Sequence, residues 1–284
     1  MPPCWSAPAK RDISAGMDEL PSLLLVGGGR MGAAMLSGWR EQGLSRAVVV
    51  DPSAAAQALA SPRVKVVASA TALPEDFAPQ AVILAVKPQM AAEALPVYAR
   101  FAGQAVFISI MAGKTVDTVG RLLGAQPALV RAMPNTPAAV RKGFTAAYAD
   151  AHVSPAQQAL AARLLAAIGE VAWVTDEAAL DPVTAISGGG PAYVFLLTEL
   201  MEQTALAQGL APDLARRMAR QTVIGSAALL AASHEDAADL RVAVTSPGGT
   251  TERALAVLRA DDAWPENFTR AIQAATERSR ELSG

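Results

Sequence analysis

Leu23-Leu24-Leu25-Val26-Gly27-Gly28-Gly29-Arg30-Met31-Gly32 is an apolar run that breaks into glycines just where a helical pattern, Ala33 to Trp39, takes over. It reads as a strand, a tight turn and a helix start. Gly27, Gly29 and Gly32 satisfy G-x-G-x-x-G, in which one glycine turns the backbone, one admits a pyrophosphate and one lets helix pack on strand. The helix N-terminus then offers unpaired N–H groups and a positive dipole end to phosphates. A glycine-rich turn also serves simply to connect two elements. The residues after the loop therefore carry the decision.

Arg46 to Asp51, RAVVVD, is a second β-branched run, closed by an acid and Pro52. From Gly32 to Asp51 is 51 − 32 = 19 residues, close to the spacing at which dinucleotide-binding folds place a carboxylate on the adenosine ribose. A plain Asp-Pro turn is the other reading. Val64–Val67, Ala81–Val86 and Ala105–Ile110 are further apolar runs without polar alternation, as in strands covered on both faces. Helical stretches at Ala91–Phe101 and Thr115–Leu123 separate them, so β-α-β-α recurs and predicts a parallel sheet with right-handed crossovers. Ligands of such sheets sit beyond the strand C-termini. Two of those ends carry Lys87-Pro88 and Met111-Ala112-Gly113. Lys87 is either a polar group facing a ligand or an ordinary solvated lysine. Ala128–Met133 runs into the rigid turn Pro134-Asn135-Thr136-Pro137, and Gly143–Ala149 and Val171–Thr175 read as the last strands. They flank a helix over Pro155–Ile168, with Ser154 as its N-cap.

Beyond Asp176 the strands give way to helices over Tyr193–Gly209, Pro212–Ala232 and Pro265–Leu282. The boundary falls near Thr175, between a sheet-bearing domain over 21–175 and an all-helical one over 176–284. Val194, Phe195, Leu196, Leu197 and Leu200 put apolar groups on more than one helix face, which calls for partners on several sides and suggests dimerisation. Two glycine-rich interruptions, Ser187–Pro191 and Ser246–Thr251, resemble helix starts that present N–H groups to an anion; either also serves as a capped turn. Ser246, Thr250 and Thr251 make the second richer in hydroxyls than a turn requires.

The 284 residues are 52% hydrophobic, with a mean hydropathy of +0.27, enough to bury a sizeable core. Lys+Arg number 24 against 26 Asp+Glu, so there is no basic field for nucleic acid. No uncharged apolar run is long enough for a bilayer. The single Cys4 excludes an intrachain disulfide and a multi-cysteine metal site, and His152 and His234 form no ligand cluster. Met1–Leu20 lacks the apolar core of a signal peptide, so a cytoplasmic protein is expected. Residues 1–20 read as a disordered extension or an over-extended start, with Met17 as the alternative first residue.

Taken in order, GGGRMG, Ala85-Val86-Lys87-Pro88, Ser109–Gly113 (SIMAG), Arg131–Pro137 (RAMPNTP), Ser187–Tyr193 (SGGGPAY) and Ser246–Thr251 (SPGGTT) resemble the motif set of the pyrroline-5-carboxylate reductase family. The resemblance runs from about Leu23 to Leu282. It implies an α/β fold with an N-terminal Rossmann-type dinucleotide-binding domain and an all-α dimerisation domain. It also implies reduction of 1-pyrroline-5-carboxylate to L-proline by NAD(P)H, the last step of proline biosynthesis. Carried over residue by residue, the cofactor contacts are Gly27, Gly28, Gly29, Arg30, Met31 and Gly32, then Ala85, Val86, Lys87 and Pro88, with Met111, Ala112 and Gly113 near the nicotinamide. The substrate falls to Ser246, Gly248, Gly249, Thr250 and Thr251, the Gly248–Thr250 turn taking its carboxylate and Thr251, the catalytic candidate, its imine nitrogen. The family resembles intertwined dimers, in some cases rings of dimers.

This chain departs from the family pattern at Asp51, where many relatives carry a small hydroxyl residue. A carboxylate suits the free 2′-hydroxyl of NADH and repels the 2′-phosphate of NADPH. Arg30 offers a compensating charge, so use of both cofactors with a tilt towards NADH is expected. Thr245 stands where relatives have cysteine or serine. The rival readings are another imine reductase or a hydroxy-acid dehydrogenase of the same architecture, or a dinucleotide-sensing protein without turnover. Hydroxy-acid chemistry needs a general acid, commonly Lys on the helical domain, and Pro182–Ala232 contains no lysine.

Overall fold

The computed structural model describes residues 19–283. Among them, eight strands form one sheet: β1 (Leu23–Val26), β2 (Ala47–Val50), β3 (Val64–Val67), β4 (Ala81–Leu84), β5 (Val106–Ser109), β6 (Ala128–Pro134), β7 (Gly143–Ala149) and β8 (Gly169–Trp173). Their order is β3-β2-β1-β4-β5-β6-β7-β8, so the chain reverses direction across the sheet between β1 and β4. That reversal opens a crevice at the strand C-termini, the place where such sheets take dinucleotides.

The apolar runs become strands because both faces are covered: β1, β2, β4 and β5 are buried at every residue. On one face α1 (Arg30–Glu41) packs with α4 (Pro155–Ala166), where Trp39 Nε1 donates to the Leu164 carbonyl at 2.9 Å. On the other lie α2 (Ala91–Ala94) and α3 (Val116–Leu123), together with Tyr98 and Phe101. Each fully buried Leu or Val side chain contributes about 1.5–3 kcal/mol. The caps stand where the residue types put them. Thr115 Oγ1 accepts from Thr118 N–H, and Ser154 forms a full capping box with Gln157.

Three expectations about secondary structure change. The helix over Ala91–Phe101 is interrupted: α2 stops at Ala94 and a 3-10 turn runs over Pro96–Phe101, because Pro96 has no N–H to continue the ladder. The sheet is not wholly parallel. β7 runs antiparallel to β6, and β8 follows β7. A short 3-10 turn, Thr136–Val140, joins β6 to β7, and a parallel partner needs a crossover of a dozen residues or more. Third, Ser187–Pro191 is not a free helix start. After α5 (Leu180–Val183) the chain makes a π-type turn over Thr184–Gly188, in which Gly189 N–H donates to the Thr184 carbonyl at 3.0 Å.

The chain divides into two compact units. The sheet-bearing one continues through Pro191 and takes back the chain from Ile272 onward; Ala192–Ala271 forms the other. The boundary expected at Thr175 thus lies inside the first unit. Asp181, buried in α5, accepts from Ser279 Oγ at 2.7 Å, which ties the end of α10 (Trp264–Ser283) to the sheet side. Leu20 is fully buried and bridges Leu44, so it belongs to the core rather than to an extension. The rest of the expected N-terminal extension, apart from Glu19, lies outside the described residues.

The second unit contains most of α6 (Gly190–Ala207), α7 (Pro212–Ala232), α8 (Ala237–Ala243), α9 (Thr250–Leu258) and the first part of α10. Tyr193 and Phe268 meet edge to face at 5.8 Å. Its buried apolar side chains are Ala205, Ala215 and Ala219, whereas Phe195 is 68% and Val257 72% exposed in the single chain. No helix among the described residues is long and apolar enough to cross a membrane.

Candidate active site

Three hydrogen bonds carry the β-ladder one step past the strand ends. Gly27 N–H donates to the Val50 carbonyl at 2.9 Å, Ala85 N–H to Val26 at 2.7 Å and Asp51 N–H to Val67 at 3.0 Å. Gly27, Asp51 and Ala85 therefore stand side by side on one edge, at the reversal between β1 and β4. Gly27 adopts φ +101°, and a Cβ there would lie 2.5 Å from the Ala85 carbonyl oxygen. Gly32 is as close, its Cβ falling 2.3 Å from the Gly27 oxygen, while nothing lies within 4 Å of a Cβ on Gly29. The loop is thus pressed tight beneath and open above.

That open side fits a dinucleotide. Gly29 caps α1 without a side chain, and no acidic residue sits in the first turn. The N–H groups of Arg30, Met31 and Gly32, which lack intrahelical acceptors by geometry, remain for an anion. Arg30 is exposed beside them. Asp51 already braces the loop: its Oδ2 accepts from Gly28 N–H at 2.7 Å and its Oδ1 from Ser53 N–H at 2.8 Å. Burial pushes this carboxyl up, but hydrogen bonds from Ser53 and Gly28 outweigh it and hold the group below the usual aspartate value. Each carboxylate oxygen keeps a further lone pair for a ribose hydroxyl.

Ala85 and Val86 are half-buried, Lys87 is exposed, and Pro88 opens a 3-10 turn. After β5, Met111 is buried and Ala112 exposed; Gly113 has φ +67°, and a Cβ there would come within 2.8 Å of Leu282 Cβ. The same unit holds buried and half-buried polar groups to which the sequence assigned no site role, although Arg131, Asn135 and Ser187 fall within the quoted motifs. Arg131 is 2% exposed and its Nη1 donates to Glu177 Oε1 at 2.9 Å; the same oxygen accepts from Val116 N–H at 2.8 Å. Asn135 Oδ1 accepts from Phe144 N–H at 2.9 Å, and its Nδ2 donates to the carbonyl and hydroxyl of Ser187, both at 3.2 Å. Besides opening the RAMPNTP motif, Arg131 stands out as a lone charge inside the apolar run ALVRAM.

In the helical unit, Ser246 and Thr250 to Glu252 are exposed. Gly248 has φ +71°, and its N–H donates to Glu252 Oε2 at 2.8 Å; Gly249 N–H donates to the Ser246 carbonyl at 3.0 Å. Both glycine N–H groups bond within the loop. The N–H groups of Thr250, Thr251 and Glu252, in the first turn of α9, lack intrahelical acceptors by geometry.

Residues 177–282 match the family described as pyrroline-5-carboxylate reductase dimerisation, and residues 22–113 match NADP oxidoreductase, coenzyme F420-dependent. The chain is 38% identical to pyrroline-5-carboxylate reductase of Pseudomonas aeruginosa, over 93% of this chain and 97% of that protein. The structure of the Coxiella burnetii pyrroline-5-carboxylate reductase superposes with a TM-score of 0.83 at 31% identity, covering 94% of this chain and all 100% of that one. Plasmodium falciparum pyrroline carboxylate reductase, solved with NADP bound, gives 0.79 at 26% identity, covering 95% and 100%. With this identity sustained over nearly its whole length, the chain belongs to the pyrroline-5-carboxylate reductase family.

Proposed function

We propose that this protein reduces 1-pyrroline-5-carboxylate to L-proline with NADPH or NADH, as a cytoplasmic homodimer or ring of dimers. The observation that carries the cofactor half is the uncapped N-terminus of α1, open above Gly29 and preceded by a loop whose Gly27 lies against Ala85. Bound there, the reduced nicotinamide supplies the hydride. The N–H groups of Arg30 to Gly32 hold the pyrophosphate, Asp51 takes the ribose, and Ala85 to Pro88 with Met111 to Gly113 line the path to the nicotinamide.

A protonated cyclic imine needs no strong acid residue, which suits a loop of hydroxyls and backbone donors. Thr251 Oγ1 accepts the imine N–H, and the N–H groups of Thr250 and Thr251 receive the substrate carboxylate at the start of α9. Positioning carries most of the catalysis. The exposed apolar side chains of the helical unit support pairing with a second chain.

The test is direct. Purified protein is mixed with pyrroline-5-carboxylate and each reduced nicotinamide, and cofactor oxidation is followed by absorbance. Oxidation with at least one cofactor is expected, and none with either overturns the reading.

A further inference from the structure

Arg131 sits opposite Ser109, the last residue of β5, in the parallel β5–β6 ladder. The segment that follows, Ile110 to Thr115, leads into α3 and contains Met111 to Gly113. Glu177 reaches that segment from the connector beyond β8. One of its carboxylate oxygens accepts at once from Val116 N–H, at the first residue of α3, and from the buried Arg131 guanidinium. Arg131 Nε and Nη2 have no hydrogen-bond partner. Glu177 is thus the anion that a buried cation requires, while its second bond ends on backbone.

We infer that Glu177 is a positioning residue for the nicotinamide end of the cofactor site: it fixes the start of α3, and through it the Met111–Gly113 segment, while Arg131 aims its carboxylate. The inference rests on the reading that Met111 to Gly113 face the nicotinamide. A buried ion pair by itself is weak evidence of stabilisation, since an apolar pair of similar volume often does as well. The bond to Val116 N–H adds an orienting role. Leu282 lies close against Gly113 in the same segment, where an added Cβ would come within 2.8 Å of it.

The experiment compares Glu177→Ala, Glu177→Gln and the double variants Arg131→Met with Glu177→Ala and Arg131→Met with Glu177→Gln. NADH affinity is read from its fluorescence, and KM is measured for cofactor and imine separately. Glu177→Ala is expected to raise the cofactor KM and Kd about tenfold, with the imine KM within about twofold, as suits one lost hydrogen bond to a charged group. Glu177→Gln keeps an acceptor for Val116 N–H and should recover most of that loss. If Glu177→Ala alone does not fold, stranding the guanidinium is the cause. The Arg131→Met/Glu177→Ala pair then folds and still binds NADH weakly, and Arg131→Met/Glu177→Gln binds it more tightly than that pair. Wild-type Kd and KM in Arg131→Met/Glu177→Ala, with only thermal stability changed, overturn the inference. NADH binding requires no imine, so a wild-type protein that binds NADH without turnover refutes the proposed reaction and leaves this comparison intact.

Discussion

Asp51 does two things at once, which is why its replacement is informative. It braces Gly28 and Ser53 through their N–H groups and, in the proposed binding mode, presents a negative charge where a 2′-phosphate would lie. Asp51→Ser should therefore raise the NADPH/NADH ratio of kcat/KM, by about tenfold if one charge repulsion of roughly 1.4 kcal/mol is removed. An unchanged ratio sinks the ribose assignment. Because the folded carboxyl titrates below its unfolded value, its contribution is fully present above the unfolded pKa of about 3.9 and lost as pH falls through the folded one. Thermal midpoints recorded from about pH 6 to 3 should fall less steeply in Asp51→Asn than in wild type. For Thr251 the effect belongs to turnover alone: Thr251→Val should lower kcat/KM by about 10- to 100-fold, the cost of one orienting hydrogen bond. NADH affinity should stay unchanged, and undiminished turnover removes Thr251 from the reaction.

At the scale of elements, the glycine loop separates fold from function within four residues. Gly32→Ala forces a methyl to 2.3 Å from the Gly27 carbonyl, at the contact of α1 with β1. Overpacking of this kind costs about 1–3 kcal/mol and should appear as a lower thermal midpoint together with lost NADH binding. Gly29→Ala meets nothing within 4 Å and keeps an ordinary negative φ, −66°. Its stability should stay within about 0.5 kcal/mol of wild type. Its NADH affinity should nevertheless drop, since the methyl stands on the side left open for phosphate. Calorimetry and fluorescence titration on the two variants distinguish a cofactor loop from a plain turn: equal, unaltered NADH binding by Gly29→Ala means the latter.

Across the whole molecule, the last turns of α10 belong to the sheet-bearing unit. Ser279→Ala removes the 2.7 Å hydrogen bond to buried Asp181 and should cost about 1.5–3 kcal/mol, read as a lowered midpoint in chemical unfolding. The helical unit raises a question of association instead. Its own buried apolar side chains are alanines, while Phe195, Leu196 and Val257 face outward. Light scattering should return a mass of at least two chains, and Phe195→Glu should shift it towards one. A wild-type mass of one chain contradicts the proposed dimer.

Local chemistry wrote the strand–glycine–helix unit, the caps at Thr115 and Ser154 and the apolar strand runs into the chain. Those signals depend on neighbours within a turn or two and on burial period, so they can be read from residue order. Contacts between distant segments left no such trace. The reversal of β7 followed from a connection too short to cross over, although its residues read only as a strand. Arg131 showed as a charge in an apolar run, but Glu177 as its partner, 46 residues later, became visible only once β6 and the connector were packed together. The return of Ser279 to Asp181 spans 98 residues, and no local pattern selects that pairing. Residue type and period act over a few ångströms along the chain. Which orphaned charge meets which carboxylate is settled by the packing that brings them out of water together.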